Sequence, residues 1–104
     1  MSHLQYEYIH FELHRDGGPG KNRKTAVWLC KNNTTGHVLG KVSWHSAWRQ
    51  YVFFTEPSIV CLFSVGCLDD ISAFIRSANE EHQKWLRAKR REMRRRRTRD
   101  AKDQ

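Results

Sequence analysis

The stretch "HVLGKVSWHSAWRQYVFF", residues 37–54, decides the fold because it predicts two strands joined by a turn. The segment "HVLGKVSW" predicts the first of these strands. The three residues "HSA" are short and polar enough to turn the chain, so "WRQYVFF" predicts the second strand, and the short connection predicts an antiparallel hairpin. We number these strands three and four, because the preceding residues predict two more.

Upstream of this hairpin, the segment "YIHFELH" (8–14) alternates apolar and polar residues, the period of a half-buried strand. The segment "RDGGPGKNRKT" (15–25) is rich in glycine and basic residues and predicts an exposed loop. A second strand is predicted in "TAVWLCK" (25–31), and "NNTTG" (32–36) predicts the turn that leads back into strand three. The sheet is therefore expected to be antiparallel.

Downstream, Pro57 ends strand four, because proline cannot donate to a sheet ladder. The segment "IVCLFS" (59–64) predicts either a fifth short strand or an extended approach to a helix. From Gly66 the apolar residues recur at helical spacing, and Asp69 and Asp70 suit the positive end of a first turn. The apolar positions of this helix are Leu68, Ile71, Phe74 or Ile75, Ala78 and Trp85. The sequence predicts a small α+β fold, with an antiparallel sheet of four to five strands packed against one long C-terminal helix.

The basic residues are unevenly placed along the 104 residues, and this divides the chain into two parts. Residues 1–83 contain eight basic and eight acidic residues and form the predicted compact domain. Residues 84–104 contain eleven basic and three acidic residues, so they carry the whole net charge of +8. This second part is predicted to be an arginine-rich segment, helical or disordered, and it needs a functional explanation of its own.

Composition excludes several classes of protein. No apolar run reaches the ~18 residues of a membrane span, and the first residues do not resemble a secretory signal. Three cysteines without CxxC spacing predict neither a disulfide framework nor a zinc finger. We expect a cytoplasmic protein that has no membrane partner.

The aromatic residues of strand four suggest a binding surface. Arginine beside aromatic rings can stack on bases and bind phosphate together, which is the combination that nucleotide ligands need. The candidate residues are Trp44, Trp48, Arg49 and Tyr51. If the residues from Trp48 onward form a strand, Arg49 and Tyr51 share one face, and Trp48 lies near Trp44 across the turn. The alternative is that these rings are simply core, and the sequence leaves this open for Trp44 and Trp48.

Two further groups contain residue types that could form a site. Lys21, Arg23 and Lys24 lie in the glycine-rich loop and are candidate phosphate contacts, although the loop lacks the Walker pattern. His10, Glu12 and His14 share one strand face, but no third and fourth metal ligand is evident, so a polar surface row is expected instead. No nucleophile, base and oxyanion donor can be assembled. The sequence therefore predicts no enzyme, no cofactor and no metal.

The arginine-rich segment is the strongest functional signal in the sequence. Arginine is well suited to phosphate oxygens, and neutralising several phosphates gives salt-dependent binding of nucleic acid. The alternatives are a solvated tail or a nuclear localisation signal. The candidate residues are Arg90, Arg91, Arg94, Arg95, Arg96 and Arg97.

Residues 39–75 resemble a group of small uncharacterised bacteriophage and mobile-element proteins. The shared pattern is a G-x-V-x-W strand, a W-R-Q-Y-x-F-F strand, a proline turn and a C-L-x-D-I-x-x-F-I helix. These correspond here to Gly40–Trp44, Trp48–Phe54, Pro57 and Cys67–Ile75. The resemblance covers about a third of the chain and implies a phage origin, a bacterial host cell and a function by binding.

Together, these features predict a non-enzymatic phage or mobile-element accessory protein that binds DNA or RNA through the arginine-rich segment and the aromatic–arginine surface. A first alternative is an anti-defence protein that sequesters a small or cyclic nucleotide. A second is an inhibitor that binds a host protein. A homodimer is plausible for a small sheet-and-helix protein.

Overall fold

The computed structural model describes residues 6–18, 21–58 and 62–103, with side chains as far as residue 97. The strands are β1 (Ile9–Arg15), β2 (Val27–Asn32), β3 (Val38–His45) and β4 (Gln50–Thr55), and the helix is α1 (Val65–Asp103). The four strands form one antiparallel sheet in the order β1-β2-β3-β4, and α1 packs against it. The predicted α+β fold is confirmed.

The register of the sheet places one set of apolar residues from all four strands on the face under α1. Phe11 pairs with Cys30, Val42 with Phe53, and Trp44 with Tyr51. In β1 these residues alternate with polar ones, which is the period of a half-buried sheet, whereas β4 also carries the apolar Val52 and Phe54 on its other face. The core residues on this face are Ile9, Phe11, Cys30, Val42 and Tyr51, and they meet Ile71, Phe74 and Ala78 of α1.

The close approach of β4 to residue 40 explains why the G-x-V-x-W pattern begins with a glycine. Its position lies beneath the ring of Phe53, so a Cβ there would stand 2.5 Å from Cζ of that ring and 2.4 Å from the carbonyl oxygen of Phe54. Real Cβ atoms do not approach a backbone oxygen so closely. A glycine is therefore required for β3 and β4 to pair with the Phe53 ring folded over the sheet.

The start of α1 differs from the sequence prediction. The helix begins at Val65, so Asp69 and Asp70 lie in its second turn and the first turn holds no acidic residue. Ser64 caps the helix instead, because its Oγ accepts a hydrogen bond from the N–H of Cys67 at 3.2 Å. Residues 62–64 are not in a strand, and the remainder of the predicted fifth strand lies outside the described residues.

A ring stack and a side-chain amide are among the contacts that hold α1 on the sheet. The Phe74 ring stacks on Phe11, with centroids 3.9 Å apart and planes inclined by 9°. Asn79 bonds the backbone of edge strand β4, where its Oδ1 accepts the Tyr51 N–H at 2.7 Å and its Nδ2 donates to the Tyr51 carbonyl at 3.4 Å. The side-chain amide thus satisfies backbone groups that an edge strand otherwise leaves to solvent or to another chain.

The helix α1 continues far past the sheet. Its 39 residues span ~58 Å at about 1.5 Å per residue, which accounts for the long dimension of the molecule, 62 × 24 × 21 Å. No described helix is both long and apolar enough to cross a membrane.

Candidate nucleic-acid interface

The aromatic candidates of the β3–β4 hairpin are divided between the two faces of the sheet. Trp44 and Tyr51 lie on the face under α1, with ring centroids 5.3 Å apart and planes inclined by 82°. Trp48 lies in the loop formed by residues 46–49, and its side chain is 66% exposed. The structure therefore does not bring Trp48 together with Trp44, and the two residues require separate explanations.

Tyr51 is part of the core. Its side chain is 4% exposed, and its hydroxyl accepts a hydrogen bond from the Ala26 N–H at 3.0 Å. Burial raises the pKa of this phenol above its usual value, so the ring stays neutral. Tyr51 is therefore poorly placed to stack on a base that approaches from solvent.

Arg49 does not alternate with Tyr51 along a strand as predicted, because β4 begins at Gln50. Arg49 closes the hairpin loop, where its N–H donates to the His45 carbonyl at 2.8 Å and its φ is +53°. A non-glycine residue in this left-handed region costs ~1–2 kcal/mol. The side chain is exposed at the loop, on the same turn as Trp48.

A cluster of rings lies on the other face of the sheet, which we call the outer face. Lys41, His45, Trp48 and Phe54 form this outer ring cluster. The His45 centroid lies 4.7 Å from Trp48 and 6.4 Å from Phe54, with planes inclined by 33° and 21°. The Lys41 ammonium lies 5.5 Å from the Phe54 centroid. The cluster thus presents moderately inclined rings beside a cation, an arrangement suited to a stacked base and its phosphate.

The His45 ring is oriented by the loop. Its Nδ1 accepts a hydrogen bond from the Trp48 N–H at 3.3 Å, which places the ring proton on Nε2 when the imidazole is neutral. The bond also links the Trp48 backbone to the end of β3. His45 and Phe54 were not predicted as site residues, because no sequence pattern assigns an outer face to the end of β3.

In the described part of the glycine-rich loop, the N–H groups of Gly18 and Lys21 already donate hydrogen bonds within the loop and are not available to a phosphate. The Gly18 N–H donates to the Arg23 carbonyl at 2.8 Å, and the Lys21 N–H donates to the Gly18 carbonyl at 3.1 Å. The Lys21 ammonium pairs with the Asp16 carboxylate at 3.1 Å. Arg23 and Lys24 are exposed, so the loop offers basic side chains more readily than backbone donors.

The polar row on β1 is held by neighbouring side chains. Nδ1 of His10 lies 2.6 Å from Oδ1 of Asn33, and Nε2 lies 3.8 Å from the Glu12 carboxylate. Lys31 also pairs with Glu12, and its hydrogen bond lowers the pKa of that carboxyl. Among the described residues, no three His, Cys, Asp or Glu side chains are grouped to hold a metal ion.

The basic residues of α1 lie on its exposed part. Between residues 84 and 97 there are nine basic residues and one acidic residue, and all ten are exposed. Arg96 pairs with Glu92 at 2.8 Å, and the Lys89 ammonium lies 5.1 Å from the Trp85 ring centroid. Arg87, Arg91 and Arg94 are spaced by four and three residues, so they share one face of the helix. The predicted Arg90, Arg95 and Arg97 lie on the same exposed segment.

The structure also brings together residues that no sequence pattern predicted as site residues. Asn79 and His82 both face the sheet from α1, and the His82 centroid lies 4.4 Å from the Trp44 ring. His82 continues the spacing of Ile71, Phe74 and Ala78, so the helical period was the signal that could have found it. Because histidine is polar, the sequence did not predict that position 82 faces the sheet.

No protein-family model, curated protein or solved structure matches this chain.

Proposed function

We propose that this protein is a non-enzymatic nucleic-acid-binding protein, with the exposed part of α1 contacting phosphates and the outer ring cluster stacking on bases. The observation that carries the proposal is the run of nine exposed basic residues between 84 and 97 on a helix that extends past the sheet. A solvated helix with this charge attracts a polyanion, and the release of counterions favours binding.

The helical spacing of the arginines supports phosphate contact. With a rise of ~1.5 Å per residue, Arg87, Arg91 and Arg94 lie about 6 Å and about 4.5 Å apart along the helix axis. Their guanidinium groups can each bind a phosphate with two parallel hydrogen bonds. The helix therefore supplies several cations to consecutive phosphates of one strand, and this gives affinity without base specificity.

The outer ring cluster supports a preference for single strands. Bases of a duplex are stacked on one another, whereas unpaired bases can lie on exposed aromatic rings. Trp48 is the most exposed ring of the cluster, and Arg49 is exposed on the same loop. Stacking on a ring of this kind contributes ~1–3 kcal/mol per base.

The proposal is tested by titrating labelled single-stranded DNA, duplex DNA and single-stranded RNA with the full-length protein, at several salt concentrations. The variant Arg87→Gln/Arg91→Gln/Arg94→Gln should bind all three at least ~10-fold more weakly. It should also reduce the slope of log affinity against log salt by about 2–3, since three phosphate contacts are lost. Fluorescence anisotropy measures both quantities.

The matched control removes the same charge at residues that are not among the candidate phosphate contacts, in the variant Arg15→Gln/Lys31→Gln/Arg76→Gln. Its loss of affinity should be clearly smaller than that of the helix variant. Equal losses of affinity in the two variants would mean that net charge alone attracts nucleic acid. If wild-type protein showed no salt-sensitive binding to any of the three nucleic acids, the proposal would be wrong.

Stacking is tested separately with Trp48→Ala. This change should weaken single-stranded binding by ~1–3 kcal/mol and leave duplex binding nearly unchanged. The control is Tyr8→Ala, which removes another exposed ring, next to β1 at the opposite edge of the sheet. Similar effects of Trp48→Ala and Tyr8→Ala would argue against a specific ring cluster.

A role as a phage or mobile-element accessory protein is part of the same proposal and is supported by the resemblance of residues 39–75. Sequestration of a small nucleotide has weaker support. The aromatic residues Trp28 and Tyr51 do border a cavity, but the carboxylates of Asp16 and Glu81 also line it and would repel a phosphate.

A further inference from the structure

A cavity of about 290 Å³ lies between the sheet and α1, at the end of the sheet beneath the glycine-rich loop. Its volume is near the lower end of the ~300–1,000 Å³ range of small-molecule sites. The residues that matter for its chemistry are Leu13, Asp16, Trp28, Tyr51, Glu81 and His82. The cavity is separate from the exposed arginines and from the outer ring cluster.

The walls of the cavity are aromatic. The Trp28 and Tyr51 centroids lie 5.4 Å apart with planes inclined by 64°, and the Tyr51 and His82 centroids lie 6.1 Å apart with planes inclined by 87°. Rings set at these angles present both faces and edges to a ligand. The faces carry the negative part of the ring quadrupole and attract organic cations.

His82 is an unusual member of this wall. It is only 9% exposed, and its side-chain contacts with the described residues are ring contacts, without a hydrogen bond. Burial lowers the pKa of its imidazole, so the ring is neutral near pH 7 and keeps one nitrogen as an acceptor. An acceptor on a cavity wall is suited to a ligand that brings an N–H donor.

The charge of the lining also selects the ligand. Asp16 and Glu81 contribute two carboxylates, and the Asp16 carboxylate is paired with Lys21. Glu81 forms no ion pair with the described residues. The lining therefore repels phosphate and offers one uncompensated carboxylate to a cation.

We infer that this cavity binds a small organic cation, an alkylammonium or alkylguanidinium group, with its charge between Glu81 and the rings and an N–H directed to His82. The apolar side chain of Leu13 would lie against the alkyl portion. The cation could be a free amine or the side chain of a lysine or arginine in a peptide. Neither source requires that the protein bind nucleic acid.

The test uses full-length ¹⁵N-labelled protein titrated with butylguanidine, followed by two-dimensional NMR. Saturable shifts are expected for the Trp28 indole N–H and for the backbone amides of Glu81 and His82. Butylurea is the matched ligand, since it has nearly the same shape and no charge. It should shift these signals much less, and equal binding of the two ligands would overturn the proposal.

Two exposed glutamates on α1 supply the matched variants. Glu81→Gln should weaken butylguanidine binding about two- to fivefold, as expected for loss of one partly exposed charge pair. Glu80→Gln removes the same charge from a residue that does not line the cavity, and it should leave the affinity unchanged. Equal effects of the two variants, or no saturable shift with wild-type protein, would refute the site.

A last arm distinguishes the source of the cation. Butylguanidine is compared with a capped Gly-Arg-Gly peptide, whose guanidinium is carried by a polypeptide. Binding of the peptide with similar affinity supports a protein segment as the natural ligand. Binding of butylguanidine alone supports a free amine or guanidine.

Discussion

The two halves of α1 share one secondary structure but are stabilised in different ways. The proximal half, residues 65–86, packs on the sheet through Ile71, Phe74, Ala78 and His82. The distal half, residues 87–103, is exposed throughout its described side chains and carries most of the net charge. Its helical form depends on local propensity and on pairs such as Glu92–Arg96.

This difference separates stability from binding along a single helix. Apolar burial stabilises the proximal half, and losing it would affect the whole domain. The distal half contributes little to the core, so its arginines can be changed without unfolding the sheet. Mutations in the two halves should therefore affect different measurements.

The largest expected effect is in the proximal half. Phe74→Ala should lower the free energy of unfolding by about 3–5 kcal/mol, because it removes a fully buried ring that stacks on Phe11. Met93→Ala, in the distal half, should change it by less than about 0.5 kcal/mol. Chemical denaturation followed by tryptophan fluorescence measures both. A large loss in the Met93 variant would mean that the distal half also packs on the domain.

The second effect concerns the bond between α1 and the edge strand. Asn79→Ala should cost about 1–3 kcal/mol, since the Tyr51 N–H and carbonyl lose their partner. The exposed Gln83, one turn further along α1, is the control, and its change to alanine should be nearly neutral. If the two variants were equally stable, solvent would satisfy the Tyr51 backbone as well as Asn79 does.

A third comparison uses glycine to probe the backbone of each half. Ala73→Gly, on the exposed side of the proximal half, should lower the global free energy of unfolding by about 1 kcal/mol. Ala88→Gly, at an exposed position in the distal half, should reduce helix content measured by circular dichroism and leave global unfolding nearly unchanged. Equal losses of global stability would show that α1 unfolds as one cooperative unit.

The smallest effect is expected from pH, because it involves one imidazole. Burial holds the pKa of His82 below its usual value of 6.5. The unfolded chain therefore takes up a proton near pH 6.5 that the folded chain resists, so this contribution to stability is full above about pH 6.5 and is lost as the pH falls.

His82→Gln should reduce that dependence on pH relative to wild type. Denaturation at about pH 7.5 and about pH 5.5 gives the comparison, with the exposed His37→Gln as the control. Identical pH dependence in wild type and His82→Gln would mean that His82 titrates alike in the folded and unfolded chains.

The sequence predicted the fold well because the signals for it are periodic. The alternation of Ile9 and Phe11 in β1 and the helical spacing of Ile71, Phe74 and Ala78 predict residues that face the core, whereas Leu13, which continues the alternation, is 53% exposed. The candidate site was predicted less completely. The strand alternation predicted for Trp48, Arg49 and Tyr51 is wrong. Arg49 adopts a left-handed conformation that ends the loop, and β4 starts at Gln50, the residue after it.

Other site residues could not be read from the sequence for a different reason. Asn79 and His82 are polar residues whose positions are decided by the element that they meet, and no local pattern reports this. The outer ring cluster similarly depends on the register of β3 with β4, which brings His45 and Phe54 to one face. A shift of one residue would turn these rings to the other face.

The sequence by itself determined the class of fold, the core-facing positions Ile71, Phe74 and Ala78 of α1 and the concentration of positive charge in residues 84–104, because these properties depend on residue type and spacing alone. The tertiary structure decided which aromatic residues are buried under α1 and which lie on the outer face. It also decided that a cavity with aromatic walls and two carboxylates forms beneath the loop. Those features require residues distant in sequence to meet, and only the packing of the helix on the sheet brings them together.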